Sequence, residues 1–94
     1  MTPHSPAFAD ALAAVTSALG DPSSCEHFAH ADYSLATWRR EGSLLDLDDY
    51  GGEVQLRGER TGAPDDFGRV LDAEHPVEES LRLCVEWLGW TVPS

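Results

Sequence analysis

The side chains with the most distinctive chemistry lie close together in the first third of the chain, in Cys25-Glu-His27-Phe-Ala-His30. Thiolate and imidazole are common zinc ligands, and Asp32 or Cys84 could complete a four-ligand set. The spacing fits no standard zinc finger, and no second Cys/His cluster follows to supply the missing ligands. On an extended strand Cys25 and His27 would share one face while His30 pointed to the other. Cys25, His27 and His30 are therefore the candidate metal ligands of this chain. The plainer expectation is a polar connector with one half-buried thiol, no bound metal and no cofactor.

A second run, Asp46-Leu-Asp48-Asp49-Tyr50-Gly51-Gly52, opens like a calcium loop. An EF-hand needs oxygen ligands at set positions and a glutamate at the twelfth. Counted from Asp46, the fifth position is Tyr50 and the twelfth is Arg57, so the match fails at ligand positions. The sequence holds no Gly-x-Ser-x-Gly elbow, no His-Glu-x-x-His and no phosphate loop. Cys84 falls in an apolar helical stripe, which suits a structural thiol rather than an activated one. No catalytic residue is expected, and the chain is not expected to be an enzyme.

The remaining chemistry is charge. Asp and Glu number 17 against six basic residues, a formal net charge of −11 over 94 residues, and the isoelectric point is about 4.4. Nucleic-acid affinity rests on Lys and Arg neutralising phosphates, so this balance argues against nucleic acid and against anionic membranes. It favours capture of cationic partners. Every basic residue is Arg, and Lys, Ile and Asn are absent. Those three have AT-rich codons, which indicates a GC-rich bacterial genome. No apolar run is long enough to span a bilayer, and no basic segment followed by an apolar core opens the chain. The expected location is the cytoplasm, with both cysteines as free thiols.

The elements that must position these groups follow from periodicity. Ser5-Pro6 is a helix start, Ser as N-cap and Pro in the first turn. An Ala-rich helix over 6–19 then aligns Phe8, Ala11, Leu12, Val15 and Leu19. Gly20 and Pro22 end it. Residues 21–31 form a connector that runs into the first strand. Residues 33–40, 43–50 and 53–60 read as three antiparallel strands joined by Glu41-Gly42 and Gly51-Gly52, turns of the I′ or II′ kind. Two-residue turns fix the register, placing Trp38 opposite Leu45, Ala36 and Leu56 opposite Leu47, and Asp49 opposite Val54. Ala36, Trp38, Leu45, Leu47, Val54 and Leu56 then share one face. Thr37, Arg39, Asp46, Asp48, Gln55, Arg57 and Glu59 share the other, with Leu35 and Leu44 as exceptions and Asp46 across from Arg57. Residues 61–75 contain a loop, then a short strand or irregular segment in which Phe67, Val70 and Leu71 cover a core edge. A second helix, 76–90, carries Val77, Leu81, Cys84, Val85 and Leu88 in one stripe and Leu83, Trp87 and Trp90 in another.

The fold expected is a single two-layer α+β domain spanning 1–94. Its antiparallel meander of three to four strands is packed on one face by the N- and C-terminal helices. The function expected is non-catalytic protein binding. Its sharpest form is an immunity- or antitoxin-type inhibitor of a basic partner such as a nuclease toxin. Tyr33, Asp46, Asp48, Tyr50, Glu53 and Glu59 on the outer sheet face would make the contact through charge-assisted hydrogen bonds and cation–π packing. One alternative is an obligate subunit or homodimer using Trp87 and Trp90 or a strand edge. Another is a metal or small-molecule site near Cys25, His27 and His30.

Overall fold

The computed structural model describes residues 6–90. Helix α1 (Pro6–Leu19) leads into strand β1 (Ser24–Phe28) and a single 3-10 turn (Ala29–Ala31). Strands β2 (Tyr33–Arg40), β3 (Ser43–Tyr50), β4 (Glu53–Arg60) and β5 (Phe67–Val70) follow, and helix α2 (Val77–Leu88) closes the fold. The sheet is antiparallel throughout, in the order β1-β2-β3-β4-β5, with both helices on one face. The N-cap assigned to Ser5 lies outside the described residues.

The three central strands have the bounds and register that the turns dictate. Trp38 pairs with Leu45, Ala36 and Leu56 with Leu47, and Asp49 with Val54. The turns differ from each other. Gly51 and Gly52 both take positive φ (61° and 95°), as a type I′ hairpin requires. At Glu41-Gly42 only the glycine does, at 75°. That is the sign pattern of type II, which needs glycine only at its second central position. The register survives because both loops have two residues.

The sheet has five strands. The connector after α1 becomes β1, which pairs with β2 from Ser24↔Thr37 to Phe28↔Tyr33. Two long-range hydrogen bonds bring it there. The Ser23 N–H donates to the Thr37 carbonyl at 2.7 Å, and the Trp38 indole N–H donates to the Gly20 carbonyl at 2.9 Å. At the other edge β5 pairs with β4. Phe67 packs its ring 6.3 Å from Trp87 and Leu71 joins the core rim. Val70, in register with Gln55, falls on the outer face instead of covering the core.

The core is one cluster. Phe8, Ala11 and Val15 from α1 meet Ala36, Trp38, Leu45, Leu47, Val54 and Leu56 from the sheet, with Leu81, Cys84, Val85 and Leu88 from α2. Helix α2 ends at Leu88, where Gly89 takes a left-handed C-cap at φ 75°. Its broad apolar arc is consumed within the chain, because it touches β3, β4, β5 and α1 at once. Gly58 permits the close approach. A β-carbon there would stand 2.9 Å from Cys84 Sγ and 3.4 Å from Leu88. A glycine inside a strand often marks such an approach.

Gly58→Ala should therefore destabilise the fold by about 1–3 kcal/mol. Cys84→Ala should recover part of that loss in the Gly58→Ala background, although it is destabilising alone. Denaturant midpoints of the four proteins in this cycle give the coupling, and strictly additive values would contradict the contact. Ser80 Oγ is fully buried and has no hydrogen-bond partner among the described residues. Ser80→Ala should raise stability by about 1 kcal/mol, since it removes an unpaired buried hydroxyl and favours the helix. Thermal unfolding would show this as a rise of about 4–8 °C in Tm.

Candidate functional site

The outer sheet face has no helix over it, and register alone decides what it carries. One row runs Phe28–Tyr33–Tyr50–Glu53 across β1 to β4, and the next runs Glu26–Leu35–Asp48–Gln55–Val70. A third joins Ser24, Thr37, Asp46 and Arg57, and a fourth joins Arg39, Leu44 and Glu59. Tyr33, Asp46, Asp48, Tyr50, Glu53 and Glu59 thus share this face, as the alternation requires.

Their environments are unequal. Tyr50 is 67% exposed and Phe28 39% exposed, both large for apolar rings. The Phe28 and Tyr33 rings stack with centroids 5.9 Å apart, and Tyr33 lies 6.2 Å from Tyr50, tilted by 58°. The three form an aromatic ladder at the end of the sheet near the Gly51-Gly52 turn. Phe28 joins the site only because β1 is a strand. The sequence carries no period-2 signal for it, because Glu26-His27-Phe28 reads polar, polar, apolar.

Asp48 corrects the simple picture of aspartates facing water. Although it lies on the outer face, only 8% of the residue is exposed. Burial pushes its carboxyl above the ordinary range. The Arg57 guanidinium opposes that shift, and Asp46, Asp49 and Glu53 add to it. Arg57 Nε stands 3.9 Å from Asp48 Oδ2, diagonally across the strands. Asp46, directly across from Arg57, instead accepts a 2.7 Å hydrogen bond from the Thr37 hydroxyl. Tyr33 is also raised, first by burial and then by Asp48. Its hydroxyl keeps its proton and remains a donor at neutral pH.

The metal candidates are placed apart in role. Cys25 and His27 fall on the inner face of β1, in register with Ala36 and Ser34, whereas His30 lies in the 3-10 turn. Among the described residues no three His, Cys, Asp or Glu side chains are grouped to hold a metal ion. His27 Nδ1 is 2.8 Å from the Ser34 hydroxyl, and burial pushes the Cys25 thiol up. Cys84, in the core, is pushed up to about 12 by burial.

His27, Ser34 and Asp49 form one inner-face row. The residue types are those of a nucleophilic triad, but the order is not. A triad holds histidine between serine and carboxylate, whereas here serine is central and 2% exposed. Asp49 accepts the Gly52 backbone N–H at 3.0 Å and so braces the turn.

Trp87 and Trp90 are half-buried against the sheet. Arg60 lies over the Trp87 ring at 4.3 Å and Arg40 over Trp90 at 4.5 Å. The Trp90 indole N–H donates to the Ser43 hydroxyl at 2.6 Å. Both rings are engaged within the chain, and α2 is locked to the ends of β2, β3 and β4.

Comparison of the chain with protein-family models, with curated proteins and with solved structures finds no match. Among the described residues, no helix is long and apolar enough to cross a membrane.

Asp48 supplies a pH test. A carboxyl raised in the folded state lowers stability when ionised. The penalty is full above its folded pKa and fades as pH falls through that value towards the unfolded value near 3.8. Asp48→Asn should therefore stabilise the protein at neutral pH, and the gain should shrink on acidification through that window. Chemical denaturation of both proteins between neutral and acidic pH measures it. A gain that grows on acidification would contradict the assignment.

Proposed function

We propose that the chain is a non-catalytic binding module that takes a basic protein on the outer face of its sheet. In its sharpest form it is an inhibitor of immunity or antitoxin type that covers a cationic surface such as a nuclease active site. The observation that carries this reading is the exposed aromatic ladder set directly beside a desolvated carboxylate on an uncovered face. Phe28, Tyr33 and Tyr50 offer flat apolar surface that costs little side-chain entropy to order. Asp48 beside them is held out of water with a raised pKa. A guanidinium or ammonium arriving there would gain a charge-assisted hydrogen bond to Asp48 and a ring to pack on.

Electrostatics support the same occupant. Glu26, Asp46, Asp48, Glu53 and Glu59 share this face with two cations, Arg39 and Arg57. Arg57 is already drawn to Asp48. The net charge of −11 adds a long-range field that accelerates encounter with a basic protein.

A capture experiment run in parallel with the natural protein and a Tyr50→Ala/Glu53→Arg variant tests the reading. Both changed residues are exposed, so folding should survive. The expected prey is a basic protein retained by the natural chain and bound about tenfold or more weakly by the variant. Its association should also slow as salt rises from about 50 to 300 mM and the Debye length falls to ~6 Å. Prey that is acidic, or that binds both proteins equally, would overturn the proposal.

A further inference from the structure

Asp48 is a shielded carboxylate short of hydrogen-bond donors. No helix lies over its face of the sheet, yet only 12% of its side chain is exposed. Leu35 and Gln55 flank it in its row, and Tyr50 follows two residues on along β3. Among the described residues its one ion pair is with Arg57, whose Nε stands 3.9 Å from Oδ2. That separation is outside hydrogen-bond range, and no described side chain donates a hydrogen bond to the carboxylate. An ionised carboxyl accepts on both oxygens, and leaving that capacity unused at low exposure is costly.

Arg57 is poorly placed to be the final partner. In register it stands directly across from Asp46, whose Oδ1 accepts the Thr37 hydroxyl at 2.7 Å. The guanidinium leans along the diagonal to Asp48 with its Nε nearest. The Arg57 side chain remains 47% exposed, so it can leave the carboxylate for water at small cost. A guanidinium arriving from outside escapes the diagonal constraint. It can set two parallel N–H donors on the Asp48 oxygens. It can also lie flat on Tyr50, which is 67% exposed and about 7 Å away on the same strand face. An ammonium offers a point charge with neither the fork nor the plane.

We infer, on the reading that the outer face is the binding surface, that Arg57 is a resident counterion holding the seat of an arginine of the basic partner, which displaces it from Asp48. Arg57 then sets selectivity as well as affinity. It shields Asp48 while no partner is bound, and an incoming cation must outcompete a guanidinium, which admits arginine in preference to lysine. Arg39 provides the contrast. It is the other cation of this face, opposite Leu44 and thus four residues along β3 from Asp48. That is about 13 Å, beyond a Debye length at physiological salt. Removing either arginine changes the charge of the chain equally, whereas only Arg57 occupies the seat.

Calorimetric titration with a hexa-arginine peptide at about 150 mM salt tests this. Arg57→Gln should bind the peptide at least about fivefold more tightly than the natural chain, the factor expected when a resident group holds the seat most of the time. Arg39→Gln should change affinity by less than about twofold. In the Asp48→Asn background the gain from Arg57→Gln should vanish, and hexa-lysine should bind Arg57→Gln more weakly than hexa-arginine does. Both arginines are exposed, so folding should survive, and an unmoved indole signal from Trp38, bonded to the Gly20 carbonyl, reports it. Equal gains in the two arginine variants, a gain that persists with Asp48→Asn, equal binding of the two peptides, or no binding to Arg57→Gln would each overturn the inference. The wider reading fails separately, in the capture experiment. A basic prey lost with Tyr50→Ala/Glu53→Arg but indifferent to Asp48→Asn would remove the arginine seat and leave the binding face in place.

Discussion

Ala36, Leu47 and Leu56 stand in one row across the centre of the sheet, and the helices can close over that row only while the register holds. A slip of one residue would turn Asp46 and Asp48 inward and Leu45 and Leu47 outward. The two tight turns prevent the slip, and Gly58 lets α2 descend until Cys84 and Leu88 meet the strand. Packing, exposure and charge distribution all follow from that one alignment. It decides which side chains form the core and which are left on the uncovered face.

Polar groups inside the fold show how tightly the alignment constrains the rest. Ser34, Thr37, Asp48 and Asp49 are nearly inaccessible, yet each is paired. Thr37 donates to Asp46, Asp49 holds the Gly52 N–H, His27 meets Ser34, and Arg57 approaches Asp48. Buried polar groups are tolerable when satisfied and costly when not. Three of these pairs join neighbouring strands, and the Asp49 pair braces the Gly51-Gly52 turn. Ser80 is the exception, a hydroxyl enclosed without a described partner.

The same rows distribute the charged and aromatic groups along the strands. At the Gly51-Gly52 end lie the aromatic ladder, Asp48 and Glu53, and at the Glu41-Gly42 end lie Arg39, Arg40 and Arg60. Eight-residue strands set the two ends about 25 Å apart, well beyond a Debye length at physiological salt. Glu41 and Glu59 also stand at the Glu41-Gly42 end, so the arginines there lie among carboxylates within a chain of net charge −11. Trp87 and Trp90 belong to this end, where their rings lie under the Arg60 and Arg40 guanidiniums.

Local periodicity in the sequence determined α1, the three central strands, their register and the membership of the inner and outer faces. Those features depend on neighbours in the chain and on turn length, which a sequence displays directly. Tertiary structure alone decided that residues 24–28 become a strand, because that outcome rests on hydrogen bonds from Ser23 and Trp38 to residues 14 and 18 positions away. It likewise decided that Asp48 is shielded on an open face, that Arg57 turns to Asp48 rather than Asp46, and that Arg40 and Arg60 settle on Trp90 and Trp87. Burial and pairing of long side chains depend on what comes near in space, and periodicity carries no record of that.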